Sequence, residues 1–265
     1  MSGTSLLPWR RPRYSVVVLH GVIAARPGML NADSARPLIS QGFAAAKGRP
    51  VILDIESPGG SPVQSDLIAG MIRAEADRAD VRVHAVIGEV GASGGYWLAC
   101  AADEIHANPM SIIGSIGVVG GGFGFPELLH RAGIERRVYT AGANKRRLDP
   151  FSPEKPEDVA FAKDLMERLH TRFKDWVRHR RGRRLTAPED SIFDGGFMLG
   201  EQALDAGLID GFSTVEELVR DLGGDRARVR RFAPKKSRLL SRLPRLGVDA
   251  VLDALEDRAW RMNIR

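Results

Sequence analysis

The chain has 265 residues, 43% hydrophobic and 27% charged, enough apolar material for a core in one domain or one domain with an appendage. Its net charge of +6 is local: residues 226–245 hold nine Lys or Arg and no acid, and removing those nine charges takes +6 to −3. The basic balance therefore describes a tail rather than the body, and a single cysteine excludes an intramolecular disulfide.

Residues 1–13 read as an N-terminal extension. The apolar stretch 16–23 is interrupted by His20 and Gly21 and is too short to cross a bilayer. No secretory signal pattern is seen, so the expected location is the cytoplasm. Runs rich in β-branched residues at 14–19, 50–55 and 81–87 predict buried strands. Helical patterns lie between them at 32–46, weakened by Pro37, and at 65–77. This strand–helix–strand order argues for an α/β fold of crossover units on a parallel sheet. A glycine-rich turn then leads into a helix from about Gly94 to Ala102, with Cys100 inside an apolar run as an inert core thiol. A second glycine-rich segment, 114–124, precedes a short helix over 127–132. The longest helix is expected over 153–178, with Ser152 as N-cap and Pro153 at its first position. Its stripe of Leu165, Leu169, Phe173 and Trp176 or Val177 predicts a packing face. The folded body is expected to span 14–224 and to be followed by a basic extension, 225–265, with an amphipathic helix over 248–261.

Two loops could carry chemistry. Gly91-Ala92-Ser93-Gly94-Gly95 follows a predicted strand and precedes a predicted helix, so Ser93 would sit at a tight turn beside peptide N–H groups able to stabilise negative charge. Ser57-Pro58-Gly59-Gly60-Ser61 also follows a strand and could free an N–H for half of an oxyanion hole. Each is also an ordinary turn. Together, at the carboxyl ends of parallel strands where ligand crevices form, they weigh more. Gly91 to Gly95 fits the G-x-S-x-G pattern, but a Ser–Asp–His order needs a histidine well downstream, and none follows His179. A lysine can serve as base if burial lowers its pKa from about 10.4. Lys145 lies between Val138-Tyr139 and Pro150-Phe151, where an extended backbone would turn it inward and Arg146 outward. The scattered histidines and lone cysteine suggest no metal site. No phosphate-binding loop is present, and the chemistry needs no cofactor.

These segments, with Gly114-Ser115-Ile116-Gly117-Val118 and Gln202-Ala203-Leu204-x-x-Gly207-Leu208-Ile209-Asp210, resemble the signal peptide peptidase A family, the serine peptidases of family S49. The likeness runs over about 15–224. It implies a ClpP/crotonase-like spiral of βαβ units with a mostly parallel sheet. It further implies Ser93 as nucleophile, Lys145 as base and Ser115 as the residue orienting the lysine. Backbone N–H groups of Gly60 and Gly94, beside Gly59, would form the oxyanion hole. Similar enzymes form rings in which serine and lysine come from neighbouring subunits, so a homo-oligomer acting on peptides is expected. The tyrosine usual near the lysine is replaced by Ala143-Asn144, and no membrane anchor is seen, which weakens signal peptides as the substrate. Two rival readings keep the fold: a non-catalytic scaffold, and a crotonase-like acyl-CoA enzyme in which Ser93→Ala would stay active. The basic extension could make peripheral membrane contact through Leu239, Leu240, Leu243 and Leu246; nucleic acid is not an expected partner.

Overall fold

The computed structural model describes residues 12–234. The described residues up to Ala233 form one compact unit, and every element below belongs to it. The expected helix over 248–261 and the leucines of the basic extension lie outside the described residues.

The chain runs β1 (Arg13–His20), α1 (Ala32–Ala46), β2 (Val51–Ser57), α2 (Pro62–Ala79), β3 (Val83–Ala92) and α3 (Gly94–Ala99). It continues β4 (Glu104–Ala107), β5 (Ile112–Gly114), α4 (Pro126–Arg131), α5 (Pro156–Arg181) and, after one 3-10 turn, α6 (Glu189–Ile192). It ends β6 (Phe197–Leu199), α7 (Gly200–Asp205), β7 (Gly211–Phe212), α8 (Val215–Gly223) and β8 (Arg228–Phe232). The strands form one sheet in the order β6-β5-β3-β2-β1-β8, with β4 beside β3 and β7 beside β4. Every pairing is parallel except β5 with β6. This is the α/β spiral with a mostly parallel sheet that the resemblance implied.

β1, β2 and β3 are buried on both faces, which explains why they read as unbroken apolar runs rather than alternating ones. One face packs Val17, Leu53, Ile55, Ala85 and Ile87 against residues of α1, α2, α3 and α5. The other packs Tyr14, Val16, Ile52 and Val86 against Val215, Leu218 and Val219 of α8. β3 is long enough to serve two neighbours: residues 84–86 pair with β4, and residues 90–92 with β5. Its carboxyl end is thus held between β5 and the end of β2, where Ser57 lies opposite Gly91 after a register shift.

Boundaries differ from the sequence reading at α2, α5 and the end of the folded body, whereas α1 keeps its expected span. α2 begins at Pro62 rather than Ser65, because Ser61 accepts from the Gln64 N–H as N-cap and Pro62 starts the first turn. α5 begins at Pro156 with Lys155 extended before it; a residue preceding proline is disfavoured in the helical region, so Ser152-Pro153 cannot start the same helix. α1 runs through Pro37, its apolar face fixed by Ile39 and Phe43, and Gly42 lets it approach β1 so closely that a Cβ there would lie 2.4 Å from Val17. The sheet also continues past Gly224, since β8 pairs with β1.

Asp54 ties three strands together, accepting from His20 of β1 at 3.0 Å and from Arg231 of β8. The hydrogen bond to Asp54 raises the His20 pKa above its ordinary value of 6.5. For Asp54, burial pushes the pKa up, but the bonds from His20 and Arg231 outweigh it and leave it below 3.8. The histidine's contribution to stability is therefore full below pH 6.5 and lost as pH rises through its raised folded value. The aspartate's is present above pH 3.8 and lost as pH falls through its depressed value. An NMR titration is expected to find His20 titrating above 6.5 in the native chain and lower in Asp54→Asn; an unchanged His20 midpoint in that variant would refute the pairing.

Candidate active site

Ser93 stands where β3 ends and α3 begins. Its backbone sits at φ 51°, ψ −121°, a region that side chains rarely enter and that costs about 1–3 kcal/mol. The surroundings enforce it: the Ser93 N–H donates to the Gly114 carbonyl at 2.8 Å and the Trp97 N–H donates to the Ser93 carbonyl at 2.9 Å. Both bonds tie the serine's peptide groups and leave its half-buried hydroxyl without a hydrogen-bond partner among the described residues.

The Ser57–Ser61 loop packs directly on this turn. A Cβ on Gly59 would lie 2.6 Å from the Gly94 nitrogen and 2.8 Å from the Ser93 Cβ, and one on Gly95 would lie 2.2 Å from the Ser57 carbonyl oxygen. Only glycines allow the two loops to meet so closely, and Gly59 also needs its φ of +98°. Gly60 forms a parallel bridge with Ile23 in which the bonds run through its neighbours, from the Ile23 N–H to the Gly59 carbonyl and from the Ser61 N–H to the Ile23 carbonyl. Its own N–H is therefore turned away from Ile23. Neither that N–H nor the N–H of buried Gly94 has a hydrogen-bond partner among the described residues. Gly60 is exposed, so its N–H is open to solvent or substrate, whereas an orphan donor at buried Gly94 is uncommon; beside an unpartnered serine hydroxyl such donors can serve a developing oxyanion.

Ser115 follows β5, one residue after the Gly114 that pairs with Ala92, so the sheet brings it to the same end as Ser93. It too has a positive φ, 49°, and its N–H donates to the Gly196 carbonyl at 2.6 Å. Lys145 is placed differently from the sequence expectation. It lies in a turn, its N–H donating to the Gly142 carbonyl at 3.2 Å, and both it and Arg146 are exposed. The extended, inward-facing arrangement is corrected because bonds within the segment close this loop instead. Asp149 accepts from Arg136 and Arg146, and the Phe125 N–H donates to the Pro150 carbonyl. Those two guanidiniums hold the Asp149 carboxyl well below the usual carboxylate range. Within one chain, no hydrogen bond joins Lys145 to Ser93 or Ser115 among the described residues.

None of residues 117–157 is buried, although the segment carries Val119 at 98%, Phe123 at 81% and Tyr139 at 91% exposure. The apolar stripe of α5 is similarly divided: Phe173 and Val177 are in the core, while Phe161, Leu165 and Leu169 are not. The stripe expected as one packing face is thus half covered.

The 202–210 motif has a structural duty. Asp210 takes a two-pronged bond from buried Arg181 at 2.7 and 3.0 Å and accepts from the Ile105 N–H, while Tyr96 of α3 donates to the Leu208 carbonyl. α3, and with it the Ser93 turn, is anchored from behind. Cys100 is buried, and burial pushes its thiol up to about 12, in keeping with an inert thiol. A cavity of about 610 Å³ lined by Asp54, Glu56, Glu89 and Glu216, among others, includes none of the expected site residues. Sequence reasoning also missed one group entirely: His84, Glu104 and His106 come together across β3 and β4. The expectation of scattered histidines fails here because strand pairing joins them; the available signal was the alternation Glu104-x-His106, which puts both on one face.

Residues 75–228 match the model of Peptidase family S49. Over 240 residues the chain is 44% identical to a protein named Na(+)/H(+) antiporter NhaA from Brucella abortus (strain 2308), covering 89% of this chain and 32% of that protein. It is 32% identical over 178 residues to a "Probable protease SohB" from Buchnera aphidicola subsp. Schlechtendalia chinensis, covering 67% of this chain and 57% of that one. The chain therefore spans about a third of the length of the first relatives and little more than half of the second. No described helix is long and apolar enough to cross a membrane.

Proposed function

Because the chain belongs to peptidase family S49, we propose that it is a serine endopeptidase in which Ser93 attacks the scissile carbonyl and Lys145 of a neighbouring copy accepts its proton. The lysine then returns that proton to the leaving amine, Ser115 orients the ammonium, and the N–H groups of Gly60 and Gly94 hold the oxyanion. One observation carries the reading: Ser93 is held in a strained turn, hydroxyl unpartnered, against a glycine loop that leaves the N–H groups of Gly60 and Gly94 without partners.

A second copy as the source of the base is supported by the exposure of Lys145 and by the bare apolar side chains of its segment. Covering that surface would also remove water from the lysine, which favours the free amine a base requires. Substrates are proposed to be peptides or polypeptide fragments. Cation antiport is not proposed: the chain matches only a third of the proteins bearing that name, and its S49 region lies mostly within the shared stretch. A non-catalytic scaffold would not need the strain at Ser93.

The test is cleavage of a mixed peptide library, read by mass spectrometry between pH 7 and 9 at a protein concentration that preserves oligomers. Wild type should cut, and Ser93→Ala and Lys145→Ala should each lose about 10⁴-fold or more in rate. Persistent cutting by either variant would reassign that residue. A cut-free wild type in assembled form would favour the scaffold.

A further inference from the structure

The cluster missed by sequence reasoning is far from Ser93 and independent of the peptidase reading. His84 is the second residue of β3, and Glu104 and His106 lie on β4, with His84 opposite Glu104 and Val86 opposite His106. Because alternate residues share a face, all three side chains project to the side on which Val86 packs with α8. His84 Nδ1 lies 3.3 Å from Glu104 Oε2, and His106 Nε2 lies 3.6 Å from the same oxygen. The donor atoms of the three residues all fall within 4.8 Å of one another.

These separations are not those of a hydrogen-bonded trio. His84 Nδ1 and His106 Nε2 are buried and have no hydrogen-bond partner among the described residues, and the His84 side chain is only 5% exposed. A tetrahedral ion 2.0–2.1 Å from each ligand keeps ligand atoms about 3.3 Å apart, close to both separations from Glu104 Oε2, and the two imidazole nitrogens, within 4.8 Å of each other, would close on the ion. The other carboxylate oxygen, Oε1, is occupied by Arg82 at 2.7 Å, which orients the group and leaves Oε2 facing the imidazoles. Opposite His106 on β7 stands Gly211, so no side chain from that position covers the ring.

We propose that His84 Nδ1, His106 Nε2 and Glu104 Oε2 bind one zinc-class divalent transition ion, with water completing its shell. Two imidazoles and one carboxylate select such an ion over magnesium or calcium, which prefer oxygen ligands throughout. The nine residue steps from His84 to Ser93 span about 30 Å of extended chain, so the ion takes no part at the serine. It joins β3 to β4 at the opposite end of the strand that carries Ser93.

Full-length chain, stripped by chelator and dialysed, would be titrated with zinc by calorimetry and its metal content measured, beside His106→Gln and Glu104→Gln. Wild type should take up one zinc per chain and gain thermal stability. Each variant should bind at least about tenfold more weakly while its peptide circular dichroism is unchanged. Equal uptake by wild type and variants, or no uptake by wild type in excess zinc, would overturn the site. Zinc-edge anomalous diffraction from wild-type crystals gives an answer that needs no variant: a peak among the three side chains supports the proposal, and a peak elsewhere or none refutes it.

Discussion

Mixing Ser93→Ala chains with Lys145→Ala chains, each inactive alone, is expected to restore about one quarter of the wild-type rate. In a ring where each site takes its serine from one copy and its lysine from the next, a working site needs a Lys145→Ala copy followed by a Ser93→Ala copy. At equal mixing the first has a chance of one half and the second one half. The expectation rests on what the single chain lacks. Among the described residues the Ser93 hydroxyl has no partner, and Lys145 is exposed in a turn fixed by Asp149, within a segment of which no residue is buried. Co-expression ensures mixed assemblies, and native mass spectrometry verifies them. Recovery near a quarter establishes a shared site; none, from assemblies shown to be mixed, means that each chain uses its own lysine or a different base.

Gly59→Ala should cost about 10²–10³ in kcat, the loss typical of a disrupted oxyanion donor, and about 1–3 kcal/mol of stability. The added methyl would sit 2.6 Å from the Gly94 nitrogen, 2.8 Å from the Ser93 Cβ and 2.9 Å from the Ala92 carbonyl oxygen, at a φ of +98°. No flexible side-chain end is available to yield, so the two loops must part. That moves the Gly94 N–H relative to the serine it flanks. Gly70→Ala is the control. Gly70 lies within α2, has open space where a Cβ would go, and should leave kcat unchanged while raising the thermal midpoint through a gain of about 1 kcal/mol. Kinetics and melting curves on both variants decide the matter: a fully active Gly59→Ala would remove the glycine loop from the proposed site.

Much of the fold was legible because the central strands are buried on both faces and therefore announce themselves as short β-branched runs. The serine turn and the glycine loop were legible because glycines at fixed offsets leave a sequence trace of a close approach. What the sequence could not convey were facts of coverage and pairing. The periodicity of α5 marks an apolar stripe from Leu165 to Val177 but not that the core claims only its second half. The apolar flanks of Lys145 suggest an alternating strand, whereas its conformation is decided by Asp149 gathering Arg136 and Arg146. Ser61-Pro62 was a legible helix start that was absorbed into the loop before it. In the His84–Glu104–His106 cluster the Glu104-x-His106 alternation is legible, but the parallel register that brings in His84 leaves no mark in residue spacing.

The placement of Lys145 has a consequence for timing. A chain fresh from synthesis carries a nucleophile but, on the proposed mechanism, no proton acceptor within reach. Competence then arrives only with company, so the population of neighbours acts as the switch. Such a peptidase would be restrained by its own scarcity while dilute and released as its copies meet.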